Sequence, residues 1–157
     1  MRLLKILLYL LFITVLQTVV LARFNLFGFA PDLILVSVII FAVLGGRNRA
    51  TLFAAGSGFI QDILCFGVYL NVLTKVVAAA VVAIVKESFL GNEYALILSL
   101  VAVLTPGTLI VEGMLYLFVL GRNVYLPHFF LTIIVTTILN LIVVPILLSF
   151  MRQLARE

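Results

Sequence analysis

Charge is what this sequence has least of. Only 10% of its 157 residues are Asp, Glu, Lys or Arg, against about 25% in an ordinary soluble domain. With 66% of the chain hydrophobic, a fold of this size has too little interior to hide its apolar surface. A domain of roughly 150 residues still exposes about 30% of what its unfolded chain exposes. The solvent is therefore read as lipid, which excludes a cytosolic enzyme, a nucleic-acid-binding module, a secreted disulfide scaffold and a disordered tail. The net charge of +4 comes from so few residues that it is no nucleic-acid footprint. Cysteine is nearly missing: Cys65 stands alone, so it makes no intrachain disulfide and has no metal-ligand spacing around it. His128 is equally alone, after Pro127, which argues against a metal centre. No Gly-x-Ser-x-Gly, His-Glu-x-x-His or Walker spacing occurs, and Ser37 and Ser57 have no base in prospect. The chain is read as non-enzymatic, with no cofactor implied.

Long apolar runs are present instead. A helix crossing the roughly 30 Å hydrocarbon core takes about 20 apolar residues, and only helices or closed barrels satisfy their backbone there. Runs such as Ile6–Ala22 and Phe129–Met151 do not alternate, so they read as helices. The fold class is an all-α membrane protein, a single six-transmembrane-helix bundle with spans at 4–22, 32–46, 50–66, 68–86, 94–120 and 127–151. Gln61 and Asp62 interrupt the third span, so five spans with a re-entrant 50–66 form the alternative. Val20-Leu21-Ala22 resembles a cleavage site, but Ile6–Ala22 is longer than a signal-peptide core of about 7–15 residues, and the segment is read as a retained span. With both termini cytoplasmic, the inner side holds Arg2, Lys5, Arg47, Arg49, Lys86, Arg152 and Arg156, and the outer side only Arg23 and Arg122. That asymmetry obeys the positive-inside rule.

Narrow stripes of small and polar residues run along the spans at spacings of three and four, which place them on one helix face. They are Thr14, Gln17 and Thr18; Ala54, Ala55, Gly58, Asp62 and Cys65; Asn71, Lys75 and Ala79; Thr105, Thr108 and Glu112; and Thr132, Thr136 and Asn140. Such stripes are expected to face inward, where small residues let helices approach. Four ionisable residues stand out, because each costs about 2.5–3.5 kcal/mol at the bilayer centre on insertion scales. Counted at about 1.5 Å per residue, Asp32 lies at the outer mouth, Asp62 roughly 7 Å deep, Lys75 roughly 10 Å, and Glu112 roughly 15 Å. All four belong to the outer half. Asp32 follows Pro31 and is placed to cap the second span. The cluster admits three readings: Lys75 pairs with Asp62 or Glu112 to fix helix register, the group lines a cavity for a small polar molecule, or it docks a segment of another membrane protein. A proton or ion relay would need polar continuity to the inner side, where apart from Asn140 only Thr, Ser and Gly positions are available. Thr105-Pro106 and Val144-Pro145 are expected to bend the fifth and sixth spans.

Pro31-Asp32-Leu33 opens the second span, the basic turn Gly45-Gly46-Arg47-Asn48-Arg49 follows, and Gly56-Ser57-Gly58-Phe59-Ile60-Gln61-Asp62-Ile63-Leu64 runs on to Gly67-Val68-Tyr69-Leu70-Asn71. In these residues the chain resembles the rod-shape-determining MreD family. The resemblance covers the whole chain in layout and specific residues from about 31 to 71, with Gly56 and Gly58 as its helix-packing motif. It implies a non-catalytic scaffold in the bacterial cytoplasmic (inner) membrane, within the machinery that directs side-wall peptidoglycan synthesis. MreC is the implied partner; MreB, RodZ, RodA and its transpeptidase belong to the same assembly, with membrane lipid around it. Asp32, Asp62, Asn71, Lys75 and Glu112 are the candidate partner- or cavity-lining residues. The family is also similar in fold to the substrate-binding subunits of energy-coupling-factor vitamin transporters, which makes a small-molecule binder the alternative. Those subunits carry an Ala-x-x-x-Ala-type patch in the first span, whereas here that span is bulky up to Ala22.

Overall fold

The computed structural model describes residues 2–21, 23, 28–64, 70–121, 123 and 125–156. Six α-helices follow one another: α1 (Arg2–Val15), α2 (Leu33–Gly45), α3 (Arg47–Leu64), α4 (Leu70–Ser88), α5 (Glu93–Phe118) and α6 (Leu126–Arg156). A π-helical stretch, Leu16–Leu21, prolongs α1. The expected turn at Gly67, the end of the third-span stripe at Cys65, the start of the fourth span at 68 and the outer Arg122 lie outside the described residues.

The centre of the bundle is α2. Its sequence is apolar on every face, and a helix of that kind belongs in an interior. Every residue from Leu33 to Ile40 is buried, and α2 touches all five other helices. At 13 residues it is only about 20 Å long. Gly46 ends it with φ +84°, a left-handed conformation that a side chain resists, and the chain turns straight into α3. Arg47 and Arg49 therefore form the first turn of α3 instead of a connecting loop before residue 50. That helix runs unbroken through Gln61 and Asp62 for 18 residues, about 27 Å. A re-entrant 50–66 would have to reverse direction, and no such reversal occurs in α3.

The most extensive packing joins α3 to α4, and one glycine permits it. A Cβ placed on Gly58 would lie 2.7 Å from Val72 Cα and 2.8 Å from Asn71 O, inside the backbone of α4. Gly56 differs: a Cβ there meets only Leu10 Cδ1 at 3.4 Å. The two glycines of the packing motif thus face different neighbours, Gly58 the backbone of α4 and Gly56 the Leu10 side chain of α1. Two residues on a helix point about 200° apart, so both could not face α4.

At the opposite end of the bundle, aromatic rings gather. Tyr9 stacks on Phe150 at 5.5 Å and Phe53 on Phe41 at 4.9 Å, and Tyr9 Oη shares a 2.7 Å hydrogen bond with Ser37 Oγ. The start of α1, the ends of α2 and α6 and the start of α3 therefore meet, so the helices alternate in direction. The outside is as apolar as the inside: Ile134, Ile138, Ile142, Ile146 and Phe150 are exposed at every fourth position of α6. Leu4–Leu21, Glu93–Phe118 and Leu126–Gln153 are each long and apolar enough to cross a membrane. Together they point to a membrane protein.

Gly58→Ala is expected to force α3 and α4 apart and cost about 1–3 kcal/mol. Gly56→Ala should be neutral or gain up to about 1 kcal/mol in helix propensity. Thermal unfolding in detergent, followed by circular dichroism, measures both. Equal behaviour of the two variants would mean that α3 and α4 do not approach closely at Gly58.

Candidate functional site

The ionisable residues meet at the start of α2. Gly28 to Asp32 lie outside any helix, and they carry the chain inward before α2 begins. Phe29 is buried and stacks on His128, near the start of α6, at 5.3 Å. Three residues later, the Asp32 amide donates to Asn140 Oδ1 at 2.7 Å. Asn140 sits near the midpoint of the 31-residue α6. Asp32 is therefore well inside the bundle and not at its mouth; three residues of non-helical chain reach up to roughly 10 Å.

A helix that starts in the interior has orphan N–H groups that water cannot reach. Side chains from several helices supply the missing acceptors. Asp32 Oδ1 accepts from Leu35 N at 2.9 Å as the N-cap. Gln17 Oε1, from the π-helical stretch, accepts from Leu33 N at 2.8 Å. Asn140 is held in turn by donating through Nδ2 to Thr105 Oγ1 of α5 at 3.0 Å. Gln17, Thr105 and Asn140 thus belong to the site, although the sequence placed them only in packing stripes. For Gln17 and Asn140 the signal was the scarcity of amide side chains in apolar helices; Thr105 carried none beyond its stripe.

Lys75 completes the centre. Its side chain is 1% exposed, and Nζ donates to Asp32 Oδ2 at 2.7 Å while Glu112 Oε1 lies 3.9 Å away. Of the two expected partners, Glu112 is within ion-pair range, Asp62 instead holds the start of α4, and the shortest contact is to Asp32, which the sequence reading had not paired with Lys75. The linear depth count hid this pair, because it assumed a helix from residue 32 at the outer surface. Thr74 Oγ1 donates to Glu112 Oε1 at 3.1 Å, so α5 is tied to α4 by a neutral donor as well as by charge. Burying an ion pair is costly unless the remaining lone pairs are satisfied, and here the cap and the threonine satisfy them.

Asp62 performs a separate task. Its Oδ1 accepts from Asn71 Nδ2 at 2.8 Å and from Asn71 N at 3.2 Å, and its Oδ2 accepts from Val72 N at 3.0 Å. One carboxylate at the end of α3 thereby caps the first turn of α4, where the helix dipole also favours negative charge. Of the five candidate residues, Asp32, Lys75 and Glu112 form one centre, and Asp62 with Asn71 forms another. Gln61 Oε1, next to Asp62, is buried with no hydrogen-bond partner among the described residues. His128 is exposed apart from its ring contact with Phe29. Among the described residues, no three His, Cys, Asp or Glu side chains are grouped to hold a metal.

A shallow apolar groove of about 290 Å³ lies between α4 and α5, lined by Leu73, Thr74, Val77, Leu104, Gly107 and Val111 among others. Thr74 belongs both to this groove and to the charged centre. Comparison with protein-family models, with curated proteins and with solved structures returns no match to this chain.

Lys75→Met should lower stability by about 3–5 kcal/mol, because it strands the carboxylate of Asp32. Combining it with Asp32→Asn, which removes that charge and keeps an acceptor for Leu35, should recover part of the loss. A coupling of about 0.5–3 kcal/mol is expected for residues in contact. Denaturation of the two single variants and the double variant in detergent gives this number directly; strict additivity would mean the pair is not formed.

Proposed function

We propose that the chain is an MreD-like scaffold of the bacterial cytoplasmic membrane. It crosses the membrane six times with both termini in the cytoplasm, catalyses nothing, and acts in the rod complex that directs side-wall peptidoglycan synthesis. Its direct partner is MreC, with MreB, RodZ, RodA and its transpeptidase in the same assembly. One observation carries this reading. The residues of the family-like motif are joints of the fold: Asp32 caps α2 and holds Lys75, Gly58 lets α4 approach, and Asp62 caps α4 through Asn71. A motif consumed by internal joints describes a rigid body whose work is done on its outer surface.

The α4–α5 groove is the surface this reading selects for the MreC span. Leu73 and Val77 are more than half exposed along it, and a Cβ on Gly107 would meet nothing within 4 Å. Transmembrane helices associate through close packing at small residues and through polar contacts. Gly107 and Thr108, which line the groove, supply the first, and the second comes from Glu112, which lies beside the groove, is 22% exposed and is bonded to the lining residue Thr74. The vitamin-binder alternative is weaker, since Lys75, the cation that would greet an acidic ligand, is already enclosed by Asp32 and Glu112. Orientation follows the basic residues: Lys5, Arg47, Arg49, Lys86 and Arg152 belong to the end of the bundle that holds the aromatic cluster and the helix ends around it.

Two measurements test the proposal. Co-purification of MreC with the full-length chain should fall at least about tenfold, roughly 1.4 kcal/mol, when Gly107→Trp fills the groove. The control Ile138→Trp on exposed α6 should leave it unchanged. Undiminished MreC binding by a folded Gly107→Trp protein excludes the groove, and no binding by the unaltered chain excludes the partner. For sidedness, Asn48→Cys in a Cys65→Ser background should react with an impermeant thiol reagent only after cells are permeabilised. Labelling of intact cells would reverse the topology.

A further inference from the structure

A second groove lies on another flank of the molecule, away from the charged centre. Its volume is about 400 Å³, and it is walled by Ile6, Leu7 and Leu10 of α1 and by Leu52 of α3. The stacked pair Phe41 and Phe53 closes it on the inside, where Phe53 is only 4% exposed. Leu52 is 74% exposed and marks the open side. Arg49 lines the groove at its rim, and the same residue borders a shallow depression of about 410 Å³ formed by Gly45, Gly46, Arg47, Asn48 and Arg49. The apolar groove and the cationic depression are therefore contiguous through one side chain.

We infer that this paired feature binds an anionic phospholipid, with an acyl chain in the groove and the phosphate against Arg47 and Arg49. The argument is one of matched polarity. Going along α3 from Arg49 to Leu52 and Phe53, the surface changes from cationic to apolar within one helical turn, about 5 Å. A phospholipid makes the same change, from phosphate to acyl chain, over a similar distance. Arginine suits the phosphate because its planar fork donates two parallel hydrogen bonds. Basic pockets between transmembrane helices are recognised sites for acidic headgroups. The first-turn amides of α3 point the same way: the helix's first intrahelical bond runs from Ala50 N to Gly46 O at 3.0 Å, and Gly46 has no side chain to cap the amides before it. This site does not depend on which protein the chain partners.

The test uses the full-length chain in detergent, incubated with phosphatidylglycerol and phosphatidylcholine of identical acyl chains. Retained lipid is quantified by mass spectrometry after gel filtration. Phosphatidylglycerol should be retained preferentially. The double variant Arg47→Gln/Arg49→Gln should bind it about twenty-five-fold more weakly, at about fivefold for each basic side chain. Both arginines are exposed, so this protein should fold normally. Leu52→Trp, which fills the groove with both arginines intact, should lower retention of both lipids. Equal retention of the two lipids by the unaltered chain overturns the proposal. So does an equal loss in the control Lys86→Gln/Arg152→Gln, which would reveal general surface charge. Competition by soluble glycerol phosphate would reassign the depression to a free phosphate ligand, and retention of phosphatidylglycerol undiminished by Leu52→Trp would remove the acyl chain from the groove.

Discussion

The beginning of α2 inside the bundle is the constraint on which the other helices depend. Four amides at the start of any helix lack an intrahelical partner, and in a bundle dissolved in lipid no water is at hand to take them. Asp32, Gln17 and Asn140 bring acceptors to that point from the α2 entry, the π-helical stretch and α6. Each acceptor has to be held in place, so Thr105 of α5 fixes Asn140 and Lys75 of α4 fixes Asp32. The need to satisfy one helix end thus draws four other segments into register around it. An α2 reaching the surface would have needed none of these residues.

The same constraint explains why charge is tolerated here. Lys75 lies among apolar helices with 1% of its side chain exposed, a position that would cost several kcal/mol for an unpaired ion. Asp32 offers two oxygens, one to the amide of Leu35 and one to Lys75, so one carboxylate serves the cap and the ion pair together. Glu112 adds a second negative group at 3.9 Å and is itself steadied by Thr74. The second centre, where Asp62 of α3 caps α4, repeats the device without a cation, since two backbone amides and the Asn71 side chain take up both of its oxygens. Both centres are structural in the first instance.

The helical layout was legible in the sequence because charges and turn residues punctuate it. The boundaries expected at 32–46, 94–120 and 127–151 fall close to those of α2, α5 and α6. The inward direction of the polar stripes was legible too: Thr14, Gly58, Lys75, Thr105 and Asn140 are all buried. The pairing of Lys75 with Glu112 was among the sequence's options, but its shorter contact with Asp32 was not. It depends on how far residues 28–32 carry the chain inward before a helix begins, and hydrophobicity is silent about that path. The central place of α2 did leave a trace, since it is the one span apolar on every face, but a lipid-facing helix can carry the same composition. Gly56 and Gly58 look alike in sequence, and only the direction of α4 separates them.

With Asp32, Asp62, Lys75 and Glu112 engaged internally, the molecule has its flanks to offer to partners. In lipid the hydrophobic effect gives a docking helix no advantage over an acyl chain, and shape and polar contact must decide between them. The α4–α5 flank has Gly107 and Thr108 for close approach and, beside the groove, the part-exposed Glu112 for a polar contact, which favours a helix. The α1–α3 flank has bulky Leu52 and Leu7 beside Arg49, which favours a flexible chain with an acidic head. The asymmetry follows from the sequence of each helix: α5 spends small residues on its outward face, whereas α3 spends them inward on α2 and α4, leaving its outer face large and apolar beneath two arginines. A bundle that is rigid at its centre and different on its two flanks can hold a partner span on one side while remaining seated in acidic lipid on the other.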